Sequence, residues 1–113
     1  MKFKIVLINF PFDDFSASKL RPALCLQTRH QFIAILFLLA ITSNVANATE
    51  NSDLIIYDNT PIFKTTGWKV ASVIKVHRLL TASDTIIRKV IGTLPEDYYE
   101  ELQNKIKLIF ELE

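Results

Sequence analysis

The chain has 113 residues, of which 50% are hydrophobic, and a net charge of +1. This length suits one domain, residues 1–113, with one small core, and the presence of only 2 glycines and 4 prolines argues against a disordered or linker-rich chain. A single cysteine, Cys25, excludes an internal disulfide bond and is typical of a reducing compartment, so we expect a cytoplasmic protein in which Cys25 is a buried, small hydrophobic residue.

The near-neutral net charge hides an uneven distribution. Residues 1–48 carry 5 basic and 2 acidic side chains, and residues 49–93 carry 6 basic and 4 acidic ones. Residues 94–113 carry 2 basic and 6 acidic side chains. The first 93 residues are therefore positive and the last segment is negative. A local cationic surface can bind a polyanion, although ordinary solvated lysines on a sheet give the same pattern. The basic residues of the acid-free interval between positions 58 and 84 are Lys64, Lys69, Lys75 and Arg78.

The first predicted elements are two strands, over residues 2–10 and 23–26, joined by a polar turn. Arg21 precedes Pro22, and a residue before proline is pushed into an extended conformation. Proline is tolerated at the first residue of a strand. We therefore expect Arg21 to be extended where the loop enters the sheet, with a planar guanidinium that suits a phosphate better than a lysine would.

A ten-residue apolar run over residues 32–41 is followed by Ala46-Asn47-Ala48 and has two interpretations. Taken alone, it resembles the core and cleavage site of a signal peptide, after which residues 49–113 would act alone. Against this, the region before the run is about as long as a whole signal peptide (~15–30 residues) and contains strand patterns. The run is also too short for a bilayer span, which needs ~20 residues. We therefore expect a buried central strand that ends near Thr42.

Three further strands are predicted over residues 54–57, 70–80 and 85–91. Within the second of them, Lys75 and His77 alternate with apolar neighbours, which is typical of a sheet with one wet face.

The last segment changes to a helical period. Thr93 and Glu96 fit a capping box, Pro95 fits the first turn, and Glu101 and Lys105 are an i,i+4 pair in the favourable order. Several strands followed by one helix predict a mainly β protein with a C-terminal helix, either a small barrel or a strongly curved sheet. The apolar residues at helical spacing are Tyr99, Leu102, Ile106 and Ile109, with Phe110 beside them.

Three segments in this order resemble the MazF/PemK toxins, the ribonuclease halves of bacterial toxin-antitoxin pairs. The resemblance covers nearly the whole chain except for about residues 44–63. It implies an SH3-like barrel of the MazF/PemK/CcdB-like type, a homodimer, single-stranded RNA as the substrate, and a cognate antitoxin that is expected to be acidic. The matching segments are Phe10-Pro11-Phe12-Asp13-Asp14 with Lys19-Leu20-Arg21-Pro22-Ala23-Leu24, then Ala40-Ile41-Thr42-Ser43, and a tail that runs from Thr66-Gly67 through Arg88-Lys89-Val90-Ile91-Gly92-Thr93-Leu94 into the helix.

The resemblance also implies a reaction, the cleavage of RNA by its own 2′-hydroxyl without a metal ion or cofactor. Arg21 is expected to stabilise charge on the phosphoryl oxygens, and Thr42 to donate a hydrogen bond there. Both match positions that the family uses in catalysis. The expected catalytic residues are Arg21, Thr42 and His77, and the expected RNA-binding residues are Lys19, Ser43, Lys75 and Arg78.

The sequence departs from the family pattern at two places. Some members carry Arg-x-Asp as acid and base where this chain has Lys75-Val76-His77. Histidine can serve as a general base near neutral pH, although an exposed histidine on a strand is more often inert. Members also often have Gly-Asp before the first strand, where this chain has Phe3-Lys4.

Two other functions fit the same fold. One is a toxin that poisons DNA gyrase by binding, and the other is a decayed homologue that binds a partner without cleaving RNA. Arg21 and Thr42 favour the nuclease. The two histidines and one cysteine have no metal-ligand spacing, and the sequence has no P-loop, so no metal site or nucleotide cofactor is predicted.

Overall fold

Six β-strands and one α-helix make up the part of the chain that the structure describes. The structure is a computed structural model, and it describes residues 2–9, 20–26, 35–42, 51–56 and 71–112. The strands form one sheet in the order β4-β5-β3-β2-β1-β6, and all neighbours are antiparallel. The predicted fold class, mainly β with a C-terminal helix, is confirmed. The elements are β1 (Lys4–Asn9), β2 (Leu20–Cys25), β3 (Ile35–Thr42), β4 (Asp53–Ile56), β5 (Ser72–Ser83), β6 (Ile87–Thr93) and α1 (Tyr99–Phe110).

Strand β2 begins earlier than predicted and contains the Arg-Pro pair. Arg21 and Pro22 are its second and third residues and pair with Ile8 and Leu7 of β1. Pairing with β3 begins only at Ala23, directly after the proline. Since proline has no backbone N–H to donate, it is tolerated where a strand is paired on one side. The prediction that Arg21 stands before the strand is therefore wrong, whereas its extended conformation is confirmed.

The apolar run that resembled a signal-peptide core forms β3, between β2 and β5. Its composition reflects burial, because Leu36, Leu38 and Leu39 have nearly no exposed surface. The Ala46-Asn47-Ala48 segment lies outside the described residues. Among the described residues, the helix is too short and too polar to cross a membrane.

The sheet is covered by apolar residues on both sides. Successive residues of a strand point to opposite faces, so each strand of the centre contributes to two clusters. The first cluster includes Leu102 of α1, and we call its side the helix face. The other side, which we call the opposite face, holds the second cluster. The expectation of one wet face is therefore wrong at the sheet centre. The opposite-face cluster consists of Val6, Ile8, Ala23, Cys25, Leu36, Leu38, Ala40 and Leu80.

Helix α1 packs as its spacing predicts, with one exception. Leu102 is fully buried, and Tyr99, Ile106 and Ile109 pack against the same cluster. Phe110, expected beside them, is 52% exposed. The Glu101–Lys105 ion pair forms at 3.8 Å.

The predicted capping box is absent from the start of this helix. Tyr98 is the N-cap residue and makes no side-chain capping bond, and a single 3₁₀ turn, Glu96–Tyr98, follows Pro95. The Thr93 hydroxyl instead donates to the backbone carbonyl of Phe3 at 3.2 Å. Thr93 therefore joins the N-terminal segment to β6 and leaves the helix uncapped by a side chain.

Phe3 adopts a left-handed backbone with φ 64°. Its N–H donates to the Cys25 carbonyl at 2.7 Å, and its carbonyl accepts from the Leu94 N–H at 2.8 Å. Its ring stacks on Tyr99, with ring centroids 4.0 Å apart. Glycine would adopt this conformation without the Cβ penalty that Phe3 carries.

Strand β5 contains three extra residues relative to β3. Leu39 pairs with Leu79, but its neighbour Ala40 pairs with Lys75, so the register shifts across residues 76–78. Extra residues in one strand bend it locally and re-aim its side chains. Val76 turns into the helix-face core, whereas His77 is exposed beside it.

Candidate active site

The strand register aligns the candidate catalytic residues on one face of the sheet. Ala23 of β2 pairs with Ala40 of β3, and both belong to the opposite-face cluster. Arg21 lies two residues before Ala23 in β2, and Thr42 lies two residues after Ala40 in β3, just beyond the last recorded β2–β3 pair. Because alternate residues of a strand project to the same side, both side chains lie on the opposite face. Arg21 and Thr42 are each half-buried.

The next strand brings Lys75 to the same face. Lys75 pairs with Ala40, which is two residues from Thr42, and Val73 pairs with Thr42 itself. The side chain of Lys75 is only 12% exposed. The row across the sheet from Lys75 to strand β1 therefore contains the small side chains of Ala40 and Ala23. The neighbouring row contains Arg21 and Thr42.

A buried carboxylate lies at the end of that row. Asp53, the first residue of β4, pairs with Lys75, and its side chain is 2% exposed. The Lys75 Nζ donates to Asp53 Oδ2 at 2.9 Å. His77 Nδ1 lies 3.7 Å from the other oxygen, Asp53 Oδ1. Burying a carboxylate is costly unless cations and hydrogen bonds compensate it, and the ammonium group of Lys75 compensates it at Oδ2.

The imidazole of His77 is accessible although it faces this carboxylate. Its side chain is 40% exposed, while its Nδ1 lies 3.7 Å from Asp53 Oδ1. The exposure of His77 follows from its position in the three-residue insertion of β5. In a regular strand, the side chain of residue 77 would point to the same side as that of residue 75. Lys75 and His77, predicted to share one side of the strand, both lie within reach of Asp53.

Sequence reasoning did not identify Asp53 as a site residue. One signal was available, because Asp53 directly precedes the apolar run Leu54-Ile55-Ile56. An acidic residue at the start of a buried strand requires a partner. The identity of that partner was not readable, since it depends on the pairing of β4 with β5.

The remaining candidates are only partly located. Arg78 is exposed and follows His77 in the same insertion. Lys19 and Ser43 lie outside the described residues. Within the ranges that the structure describes, no three His, Cys, Asp or Glu side chains are grouped so as to hold a metal ion.

The described residues of this face supply a guanidinium (Arg21), a hydroxyl (Thr42) and, further along β5, an imidazole next to a carboxylate (His77 and Asp53). A guanidinium and a hydroxyl can donate hydrogen bonds to a phosphoryl oxygen. An imidazole can accept a proton near neutral pH. Such a set can bind a phosphodiester and exchange protons with it.

Comparison with known proteins gives a family and a fold. Residues 1–110 match the family model described as PemK-like, MazF-like toxin of type II toxin-antitoxin systems. No curated protein sequence matches the chain significantly.

Solved structures with the same fold come from several bacteria. The Mycobacterium tuberculosis toxin MazF-mt6 is 18% identical, with a TM-score of 0.73 over 97% of this chain and 98% of that one. A mycobacterial endoribonuclease in complex with its cognate antitoxin is 9% identical, with a TM-score of 0.75 over 100% of this chain and 96% of that one. The MazE-MazF complex of Deinococcus radiodurans is 15% identical, with a TM-score of 0.73 over 99% of this chain and 95% of that one. At these identities the likeness shows the fold, which is the one expected from the sequence.

Proposed function

The chain belongs to the PemK-like, MazF-like toxins of type II toxin-antitoxin systems, and from that premise we propose that it is a metal-independent endoribonuclease acting on single-stranded RNA. The observation that supports this most directly is the pairing of Ala23 with Ala40, because Arg21 and Thr42 each lie two residues beyond that pair and therefore project to the same face as the two alanines. A phosphodiester lying across these two strands would meet a cation and a neutral hydrogen-bond donor together.

The proposed reaction needs no external nucleophile. The 2′-oxygen of a ribose attacks the adjacent phosphorus, the bond from phosphorus to the 5′-oxygen breaks, and the products are a 2′,3′-cyclic phosphate and a 5′-hydroxyl. His77 takes the proton of the attacking hydroxyl. Arg21 stabilises the negative charge that grows on the phosphoryl oxygens and supplies a proton to the leaving oxygen, while Thr42 donates a hydrogen bond to the same group.

The substrate must be single-stranded, because a regular A-form duplex does not hold the 2′-hydroxyl in line with the leaving oxygen. Lys19, Ser43 and Arg78 bind the RNA backbone in this proposal. Lys75 adds its positive charge from the Asp53 side of the same face.

The partners follow from the family. Two of the similar structures are complexes with an antitoxin, and we extend this to a cognate antitoxin for the present chain. An acidic antitoxin would cover the positive surface of residues 1–93. A homodimer that binds RNA across its surface, acting in the cytoplasm, completes the proposal.

Purified protein incubated with a pool of single-stranded RNA in EDTA tests the activity. We expect cleavage that leaves 2′,3′-cyclic phosphate ends, and no cleavage at a position that carries a 2′-O-methyl group. Thr42→Ala and Arg21→Ala should each lower the rate by about 10²–10³-fold, which is typical for the loss of one donor to a developing oxyanion.

Matched controls are available on the same sheet. Thr81→Ala and Arg88→Ala alter an exposed threonine of β5 and an exposed arginine of β6, and both should cleave like the wild type. Intact RNA, with the wild type and Arg21→Ala indistinguishable, would contradict the proposal. That result would favour a toxin that acts by binding gyrase or a homologue that only binds a partner.

A further inference from the structure

We propose that Asp53 is a positioning residue for His77: its carboxylate keeps the imidazole proton on Nδ1, so that Nε2 presents its lone pair to the RNA. This rests on the proposed nuclease function, in which His77 accepts the proton of the 2′-hydroxyl. Asp53 itself touches neither the substrate nor the reacting atoms.

The two oxygens of Asp53 face different cationic side chains. Oδ2 accepts from Lys75 Nζ at 2.9 Å, and Oδ1 faces His77 Nδ1 at 3.7 Å. The bond to Lys75 holds Oδ2, because Lys75 is itself nearly buried and directly opposite Asp53 in the register. With Oδ2 held by Lys75, Oδ1 is the oxygen directed at the imidazole.

A carboxylate at Nδ1 determines which nitrogen is the base. A neutral imidazole carries one proton, and the nitrogen beside an anion retains it while the other nitrogen becomes an acceptor. The 3.7 Å separation is longer than a hydrogen bond, and contacts of this kind often shorten when substrate binds. In the well-studied serine hydrolases, an aspartate holds a histidine in the correct tautomer in the same way.

The exposure of the two side chains fits this division of roles. Asp53 is 2% exposed and His77 is 40% exposed. The carboxylate is therefore shielded from water, which strengthens its effect on Nδ1, while the imidazole is partly accessible to solvent.

The first measurement is the tautomer of His77, from ¹⁵N chemical shifts at a pH where the ring is neutral. We expect a proton on Nδ1 in the wild type. In Asp53→Asn the amide can donate to Nδ1, so the proton should move to Nε2. A wild-type proton on Nε2 would overturn the inference. This readout does not require activity, so intact RNA in the nuclease assay would refute the proposed function without deciding the tautomer.

The second measurement is kinetic. Asp53→Asn should lower kcat by about 10²–10⁴-fold with KM for RNA nearly unchanged, on the scale of the corresponding change in serine hydrolases. Asp53→Asn combined with His77→Ala should be no slower than His77→Ala alone, because a positioning residue has nothing left to position.

A third variant separates positioning from folding. Asp53→Asn leaves Lys75 with a poorly compensated charge, whereas Asp53→Asn with Lys75→Met removes both charges and should restore stability. We expect the double variant to be stable and to keep the low kcat of Asp53→Asn at saturating RNA, where the loss of the Lys75 charge affects KM. If its kcat returned to the wild-type value together with its stability, Asp53 would be only a structural partner of Lys75, and the inference would be wrong.

Discussion

The left-handed backbone at Phe3 predicts an unusual order of stability between two substitutions. At most positions alanine is more stable than glycine by roughly 0.4–1 kcal/mol, because glycine loses more conformational entropy on folding. At Phe3 the order should reverse. The φ of 64° places Cβ close to the following carbonyl oxygen, which costs about 1–2 kcal/mol for any residue except glycine.

Three hydrogen bonds prevent this strain from relaxing. The Phe3 N–H is held by Cys25, and its carbonyl is held by Leu94 and Thr93. Subtracting the entropic cost from the strain leaves Phe3→Gly more stable than Phe3→Ala by about 0.5–1 kcal/mol. Both variants should be less stable than the wild type, because the stack on Tyr99 is worth about 0.5–1.5 kcal/mol beyond the area it buries.

Urea unfolding measures this difference as a shift of the midpoint at constant slope. With a slope of about 1–2 kcal/mol/M for a domain of this size, the glycine variant should unfold roughly 0.5 M later than the alanine variant. Val90 provides the control, since it is exposed on β6 and its φ is not positive, and there alanine should be the more stable substitution. An alanine variant at Phe3 as stable as the glycine variant would refute the reasoning.

Three further predictions concern the helix and the proposed RNA-binding residue Arg78. Glu111 ends α1 with φ 56°, so Glu111→Gly should raise the free energy of unfolding by about 0.5–1 kcal/mol in the same urea assay. Leu102→Ala should lower it by about 2–5 kcal/mol, whereas Phe110→Ala, on the exposed side, should change it by less than about 0.5 kcal/mol. Arg78→Ala should weaken RNA binding and reduce the slope of log K against log salt by about 0.7, with the cleavage rate at saturating RNA unchanged; an unchanged slope would remove Arg78 from the RNA surface.

Local patterns predicted the elements of the fold well. The spacing of Leu102 and Ile106 identified the buried side of α1, and the apolar composition of residues 32–41 identified a central strand, because both patterns record burial directly. The Arg-Pro pair predicted an extended Arg21 for the same local reason.

Features that depend on distant parts of the chain were not predictable. Thr93 fits a capping box, but its hydroxyl binds the carbonyl of Phe3, ninety positions away in sequence. Asp53 became part of the site only through the pairing of β4 with β5. The three-residue insertion in β5 has no signature in the sequence, because it is defined by its register against β3.

In β5, the exposed basic side chains lie within the insertion at residues 76–78, and the residues that pair with β3 lie on either side of it. Both flanks of the strand are anchored to β3, at Lys75 and at Leu79, so substitutions at positions 77 and 78 leave every recorded rung of that ladder intact. These two side chains can therefore be exchanged together, by evolution or by protein engineering, without a change in the pairing of β5 with β3. A library randomised at these positions alone would sample new acid-base partners for the Asp53 carboxylate on an unchanged scaffold.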